Sequence, residues 1–298
     1  MAASHPTSRW LLGAAGSSLV LLAISCSAPG APRSVPGGAA AGPVIAVGGG
    51  GTPDEVPAVA LELARARRGP EPAVVVVPHA SSREDRGVAS ARMWDAAGAG
   101  SSELLADDAE TARVQLMNAD VIWMGGGSQF RLLDHLEARG LVQVLRAAHR
   151  RGAVIGGTSA GAAVLGSVTI SGAPDPAPYL AGAVERREGL GLIADAIVDQ
   201  HFAERRREGR LLTALFEGGA RRGFGIPERT ALVFSADDAD VIGASPVVLV
   251  DASRAGPRAL EGVPAAPFDG LRVTLVRPGQ TCLLGSAGTP KARGSSGR

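Results

Sequence analysis

The sequence predicts an α/β fold: a doubly wound, mostly parallel sheet with helices on both faces. Runs such as 73–77 are continuously apolar, which is typical of strands buried on both sides of a parallel sheet. Several of these runs end in glycines or proline and lead into a segment with helical periodicity. The chain has 298 residues, of which 45% are hydrophobic, so it can form a sizeable core.

The predicted elements alternate between strands and helices. Apolar runs predict strands at 44–47, 73–77, 121–124 and 153–155. Helical spacing predicts helices at 56–68, 87–97, 109–117, 130–139 and 142–151, with a further helix starting at 160–165. Residues 223–225 are interpreted as a glycine turn, and short segments from Leu232 onward predict terminal strands, some antiparallel. A single domain over about residues 43–284 holds all of them.

Composition excludes several classes of function. The 30 Lys and Arg residues balance 29 Asp and Glu residues, so the chain lacks the electrostatic signature of a nucleic-acid binder. Aromatic residues make up 3%, too few for base-stacking platforms. Two cysteines cannot form a disulfide scaffold or a cysteine zinc site. We expect neither a metal nor a cofactor.

The N-terminal segment resembles a secretion signal. Arg9 precedes an uncharged, largely apolar stretch at 10–24, which is too short for a comfortable membrane span. Ala23-Ile24-Ser25-Cys26 resembles the lipobox of bacterial lipoproteins, so Cys26 is expected to carry a lipid. An ordinary cleaved signal and an uncleaved anchor are the alternatives. The expected product is secreted or in the cell envelope, lipid-anchored, with a signal peptide, a flexible tether and a disordered tail at 1–25, 26–42 and 285–298.

Four glycines at 48–51 follow the first predicted strand. They could belong to a dinucleotide site or form a tight turn at the carboxyl edge of the sheet. The ordered G-x-G-x-x-G spacing, with an acidic residue about 20 positions further on, is not convincingly present. The turn is therefore favoured.

The segment Gly157-Thr158-Ser159-Ala160-Gly161 has the form G-x-S-x-G, between a predicted strand and a predicted helix. A sharp turn in that context projects a serine hydroxyl above the sheet edge, and small neighbours allow the backbone to bend. The Ala160 amide at the helix start can face a developing oxyanion. The motif predicts Ser159 as a nucleophile; the alternative is an ordinary glycine-rich turn.

A serine nucleophile needs a base, and the chain has five histidines. His5 lies in the signal segment, and His135 and His149 lie on charged helices. His201 follows the apolar run 196–198, where a strand is expected to end at the functional edge of the sheet. His201 is therefore the first choice by elimination, and His79 is the second.

The base needs a carboxylate that orients its imidazole. Glu228 lies in a short loop before the predicted strand 231–234, which suits that role, although a surface glutamate is an equal alternative. Other candidates are Glu204, Glu208, Glu217 and Asp237. The resulting order Ser…His…Glu differs from the Ser…Asp/Glu…His of α/β-hydrolases, which argues against a lipase or esterase of that fold.

Four arginines follow His201 within a predicted helical stretch: Arg205, Arg206, Arg207 and Arg210. One interpretation is a solvated basic face balanced by Glu204 and Glu208. The other is a clamp that binds carboxylates beside the catalytic base, because arginine forks bind them bidentately.

Taken together, five segments resemble the cyanophycinase family and its relatives, the aspartyl-dipeptidase-like serine peptidases. The segments are residues 125–129, 156–162, 189–192, 199–202 with the arginines that follow, and 223–231, in order across about residues 44–251. This joint pattern is far more specific than G-x-S-x-G alone. One departure is Pro227, where family members commonly carry Asp; proline fixes φ and removes an amide donor, which bears on the geometry of that loop.

The resemblance implies a class I glutamine-amidotransferase-like fold, a dimer and a Ser159–His201–Glu228 triad. It implies an oxyanion hole from Gly126, Gly127 and Ala160. The implied substrate pocket contains Gln129, Asp199, Gln200, Arg205, Arg207 and Arg210. In it, arginines would hold aspartyl carboxylates, and acidic groups such as Asp199 would receive the arginine or amino group of the substrate.

The resemblance further implies a serine exopeptidase that releases β-Asp-Arg dipeptides from cyanophycin, a poly-aspartate with arginine on each side-chain carboxyl. One alternative is a serine dipeptidase or isopeptidase acting on short Asp-X or β-aspartyl peptides. Another is a catalytically inactive surface binding protein. The expected partner is thus an aspartyl polymer or peptide, with no nucleic acid and no membrane contact beyond the lipid.

Overall fold

The computed structural model describes residues 41–173, 182–236, 238–255 and 270–284. All of them belong to one compact unit. The predicted signal peptide, Cys26, nearly all of the predicted tether and the predicted tail lie outside the described residues, as does Asp237. In the described part of the chain, no helix combines the length and apolar character needed to cross a membrane.

The larger of two sheets has eight strands and carries the parallel part of the fold. Its order is β14-β11-β10-β1-β5-β4-β2-β3, in which β1, β5, β4, β2 and β3 run parallel and the remaining three strands are antiparallel. The strands are β1 (Val44–Val47), β2 (Ala73–Val77), β3 (Ser101–Leu104), β4 (Val121–Met124), β5 (Val154–Thr158), β10 (Thr230–Phe234), β11 (Asp238–Gly243) and β14 (Thr281–Leu283).

The described part of the chain forms seven helices between its strands. They are α1 (Glu55–Arg68), α2 (Val88–Ala96), α3 (Ala109–Asn118), α4 (Gln129–Ala138), α5 (Leu141–Arg150), α6 (Ala160–Ala163) and α7 (Glu208–Phe216). Asp108 and Ser128 cap α3 and α4, because their side-chain oxygens accept hydrogen bonds from amides in the first turn.

The core lies on both faces of this sheet because its central strands are buried on both sides. Along β1, Ile45 and Val47 pack with α1 and with Trp94 of α2, whereas Val44 and Ala46 pack with α3, α4 and α5. The α/β class predicted from the continuous apolar runs is confirmed.

A second, six-stranded sheet has the order β13-β12-β9-β8-β6-β7, with β6, β8 and β9 parallel. Its strands are β6 (Gly166–Ile170), β7 (Arg186–Glu188), β8 (Ile193–Gln200), β9 (Arg222–Ile226), β12 (Val247–Asp251) and β13 (Arg272–Val276). Val198, Phe224 and Leu249 from this sheet share the core cluster of α3 to α5. The sequence predicted a single sheet, and the division into two is a correction.

Two local predictions were wrong. The glycine turn at 223–225 is part of β9, and a Cβ atom at Gly225 would lie 2.5 Å from the Phe202 ring, so glycine there permits close packing rather than a turn. The helix expected at 160–165 is the single turn α6, because β6 begins at Gly166.

Candidate active site

Ser159 lies on a sharp turn between β5 and α6. Its backbone has φ 52° and ψ −115°, an unfavourable conformation for a residue with a side chain, and its amide donates to the Val47 carbonyl at 2.9 Å. A Cβ atom at Gly157 would lie 2.5 Å from backbone atoms of Gly161, so the turn requires small residues on each side of the serine. This geometry exposes the hydroxyl at the carboxyl edge of the parallel strands.

His201 directly follows β8 and reaches the serine. Its Nε2 atom lies 2.9 Å from the Ser159 Oγ, and its amide donates to the Gly48 carbonyl at 2.7 Å. Its φ of 49° is in the left-handed region. Burial lowers the pKa of His201 below the usual 6.5, and the hydrogen bond to a carboxylate opposes that effect. The imidazole is therefore neutral near pH 7 and able to accept a proton.

Glu228 supplies that carboxylate from the three-residue link between β9 and β10. Its Oε1 atom lies 2.5 Å from Nδ1 of His201, and its amide donates to the Glu204 carboxylate at 3.0 Å. Pro227, the residue before Glu228, has no amide hydrogen to donate, yet the Glu228 carboxylate still reaches His201. Glu204, one of the alternative carboxylates, thus stabilises the link between β9 and β10 and does not contact the imidazole.

The glycines at 48–51 form a turn against these two side chains. A Cβ atom at Gly49 would lie 2.4 Å from Cε1 of His201, and one at Gly50 would lie 2.3 Å from Oε2 of Glu228. Both glycines have positive φ, at 98° and 64°. Sequence reasoning favoured a tight turn at the sheet edge, but nothing in the sequence pairs this turn with residues about 150 to 180 positions further on.

Candidate oxyanion donors lie beside Ser159. A Cβ atom at Gly126 would lie 3.9 Å from its Oγ, and the Ala160 amide belongs to the first residue of α6. Gly127, the next residue, has φ 141° and packs on the Ala80 backbone, where Ser128 donates to the Ala80 carbonyl at 2.9 Å. These backbone amides are the candidates to bind an oxyanion formed at Ser159.

The arginines do not share one helix. Residues 202–206 form turns, Arg206 has φ 50°, and α7 begins only at Glu208. Arg205 and Arg206 are exposed. Arg207 and Arg210 are 3% and 2% exposed, so they are not a solvated basic face.

The two buried arginines surround Asp199, which is fully buried. Arg210 forms a bidentate pair with it, with Nε to Oδ2 at 2.8 Å and Nη2 to Oδ1. Arg207 lies 3.6 Å from the same carboxylate and donates to the Gln200 carbonyl at 2.5 Å. Burial raises the pKa of Asp199, and the two guanidinium groups oppose this.

The two glutamines of the predicted pocket lie on different sides of it. The Gln200 side-chain oxygen lies 3.4 Å from Ser159 Oγ, which makes the shorter contact with His201 Nε2 at 2.9 Å. Gln129 is buried at the start of α4 and donates to the Ile170 carbonyl at 2.8 Å. Gln200 therefore contacts Ser159 directly, whereas Gln129 binds the end of β6.

The second-choice base, His79, is engaged elsewhere. Its Nε2 lies 3.1 Å from the Asp107 carboxylate, and its ring stacks on His135 with centroids 3.5 Å apart. Among the other carboxylate candidates, Glu217 pairs with Arg186 at 2.8 Å. Across the described ranges, no group of three or more His, Cys, Asp or Glu side chains is placed to hold a metal ion.

The family model and the similar proteins both indicate the same peptidase family. Residues 44–242 match the model of peptidase family S51. A cyanophycinase from Geminocystis herdmanii is 43% identical over 132 residues, 44% of this chain and 48% of that protein. A cyanophycinase from Trichormus variabilis is 34% identical over 195 residues, 62% of this chain and 65% of that protein. The chain thus matches between about half and two thirds of the length of these relatives.

Solved structures show the same fold at low identity. A peptidase from an acI-B1 Actinobacterium superposes with a TM-score of 0.61 and 23% identity, covering 82% of this chain and 97% of that one. A putative peptidase E protein from Listeria monocytogenes gives a TM-score of 0.50 and 16% identity, covering 69% and 100%.

Proposed function

The chain belongs to peptidase family S51, a family of serine peptidases, and from this premise we propose that it is an exopeptidase releasing β-Asp-Arg dipeptides from cyanophycin. One observation carries the proposal: an unbroken hydrogen-bond chain from Ser159 Oγ through both nitrogens of His201 to Glu228 Oε1. The likeness to cyanophycinases supports the choice of substrate.

The proposed reaction has two halves. Ser159 Oγ attacks the scissile carbonyl carbon while its proton passes to Nε2 of His201, and Glu228 orients the imidazole and stabilises its cation. The C–N bond then breaks, Nε2 returns the proton to the leaving nitrogen, and an acyl-enzyme remains. Water attacks the ester by the same proton path in reverse and restores Ser159.

The amides of Gly126, Gly127 and Ala160 are the proposed oxyanion donors. Arg205 is exposed near His201 and suits a substrate carboxylate, while Gln200 contacts the nucleophile. The remaining proposed pocket residues are Gln129, Asp199, Arg207 and Arg210.

Incubation of the protein with insoluble cyanophycin tests the substrate. Release of β-Asp-Arg that is lost in Ser159→Ala is the expected result; no release from the unmodified protein, or activity retained in Ser159→Ala, rejects the proposal. A panel of Asp-X and β-aspartyl peptides run in parallel identifies a dipeptidase or isopeptidase. Labelling by a fluorophosphonate that depends on Ser159 rules out an inactive binding protein.

We also propose that the catalytic domain spans residues 43–284 and is held in the cell envelope by a lipid on Cys26, after removal of residues 1–25. The lipobox-like sequence supports this. Incorporation of labelled palmitate that is lost in Cys26→Ala tests it. A dimer and a class I glutamine-amidotransferase-like fold are proposed from the family resemblance alone.

A further inference from the structure

The chain enters the larger sheet at Gly42, on the edge opposite the candidate active site. The Gly42 amide donates to the His149 carbonyl at 2.8 Å, and His149 Nε2 lies 2.7 Å from the Gly42 carbonyl oxygen. From there β1 crosses the sheet to Gly48, whose carbonyl accepts the His201 amide. At about 3.3 Å per residue, the entry point and the active site are about 20 Å apart.

Arginines collect at this amino edge of the sheet, where α1 leads into β2 and α5 leads into β5. They are Arg65, Arg67 and Arg68 in the last turn of α1, Arg150 at the end of α5, and Arg151 after it. The two groups meet at the start of β4. Arg68 Nε lies 2.9 Å from the Asp120 carboxylate, and Arg151 donates to the Ala119 carbonyl at 3.5 Å. We call residues 65–71, 118–120 and 150–152 the basic edge.

The acids of the basic edge do not balance its arginines. Five arginines stand against Asp120, which is buried and paired with Arg68, and Glu71, which is exposed. Arg65, Arg67 and Arg150 are also exposed. The whole chain has a formal charge of only +1, so this excess of positive charge is local.

We propose that the basic edge docks on anionic lipid headgroups and holds the active site facing away from the membrane. This inference rests on the proposed lipid at Cys26, and it extends membrane contact beyond that lipid. The 16 residues from 27 to 42 span at most about 55 Å, so the anchor keeps the basic edge near the headgroups. Arginine then suits the contact, because its guanidinium binds phosphate in a bidentate manner.

Vesicle sedimentation tests the surface separately from the lipid. The protein is the chain from residue 26 onward with Cys26→Ser, which retains the compact unit that holds all described residues. The vesicles contain phosphatidylcholine alone or with about one third phosphatidylglycerol. We expect binding to the anionic vesicles only. Binding should be lost between about 0.1 M and about 1 M salt, because the screening length falls from about 10 Å to about 3 Å.

Two double variants locate the contact. Arg67→Gln/Arg150→Gln removes two exposed charges from the basic edge and should weaken binding by about 25-fold, at about fivefold for each arginine. Arg83→Gln/Arg206→Gln removes two exposed charges at the carboxyl edge, so it changes the net charge equally and should bind like the unmodified protein. Both must keep the unmodified circular dichroism. Equal weakening in the two variants, or no binding to anionic vesicles by the unmodified protein, overturns the inference.

Fluorophosphonate labelling of Ser159 tests the orientation. Vesicle-bound protein should label at the rate of the free protein, because the active site lies about 20 Å from the basic edge. Labelling that stops on vesicles places the active site against the membrane and overturns the proposed orientation. Failure of the free protein to label rejects the serine mechanism instead, and the double variants then decide the surface. The palmitate assay is scored separately, so loss of the anchor and loss of the surface are told apart.

Discussion

Replacing Gly49 by alanine should displace His201, the proposed catalytic histidine, while leaving all three residues of the proposed triad unsubstituted. The added Cβ would lie 2.4 Å from Cε1 of His201, whereas carbon atoms pack at about 3.5–4.0 Å, so the ring has to move by about 1 Å. The bond from Nε2 to Ser159 Oγ, now 2.9 Å, then lengthens beyond hydrogen-bonding range. A shift of that size lowers kcat/KM by about 100-fold, equivalent to about 2.7 kcal/mol.

Gly51→Ala is the matched control. Gly51 has φ 113°, close to the 98° of Gly49, so either alanine costs about 1–2 kcal/mol of backbone strain. At Gly51, however, the nearest side-chain atom is Cγ of Arg229 at 3.9 Å, an ordinary contact. Urea unfolding should show the cost of backbone strain in both variants and a further loss in Gly49→Ala from the overlap with His201, while fluorophosphonate labelling of the folded protein slows only in Gly49→Ala. Equal labelling rates would refute the idea that the glycine turn fixes the histidine.

Three further predictions concern ionisable groups. The pH profile of kcat/KM should have its acid midpoint below pH 6.5, because burial lowers the pKa of His201 and only neutral imidazole accepts the serine proton; a midpoint above pH 7 contradicts this. Glu228→Gln should lower kcat by about 10⁴-fold through loss of the correct tautomer, and a loss below tenfold in steady-state assays would exclude the orienting role. Burial and neighbouring charges lower the pKa of His135 to about 4, so the unfolded chain takes up a proton first, and stability falls as pH drops from 6.5 towards 4. The urea midpoints at pH 7 and pH 4.5 should therefore differ less in His135→Phe than in the unmodified protein. An unchanged difference would contradict the lowered pKa of His135.

The central strands could be predicted because they are buried on both faces. Continuous apolar runs predict the exact bounds of β1, β2 and β4. The edge strand β3, with sequence SSEL, is mostly exposed and has no apolar pattern, so it was missed. The strand β9 was also not predicted, because it depends on tertiary packing: its glycines lie against Phe202 and the leucines of α7.

The candidate site was predictable where chemistry restricts residue type. Ser159, His201 and Glu228 were chosen by motif, position and resemblance, and the structure places them in hydrogen-bond contact. The residues that hold these three side chains in place could not be predicted. Glu204 and Gly49 act through partners remote in sequence, and the arginines separated because Arg206 breaks the helix expected to hold them together.

The proposed nucleophile and its proposed base belong to different sheets. Ser159 follows β5 of the eight-stranded sheet, His201 follows β8 of the six-stranded sheet, and Glu228 lies on the short link between the two. In a folding intermediate with only the larger sheet formed, Ser159 would lack the His201 base. Such an intermediate would therefore cleave no peptide bonds, including those of its own chain. Under the proposed mechanism, peptidase activity therefore requires the completed fold. The onset of serine reactivity during refolding would then report when the two sheets have packed together.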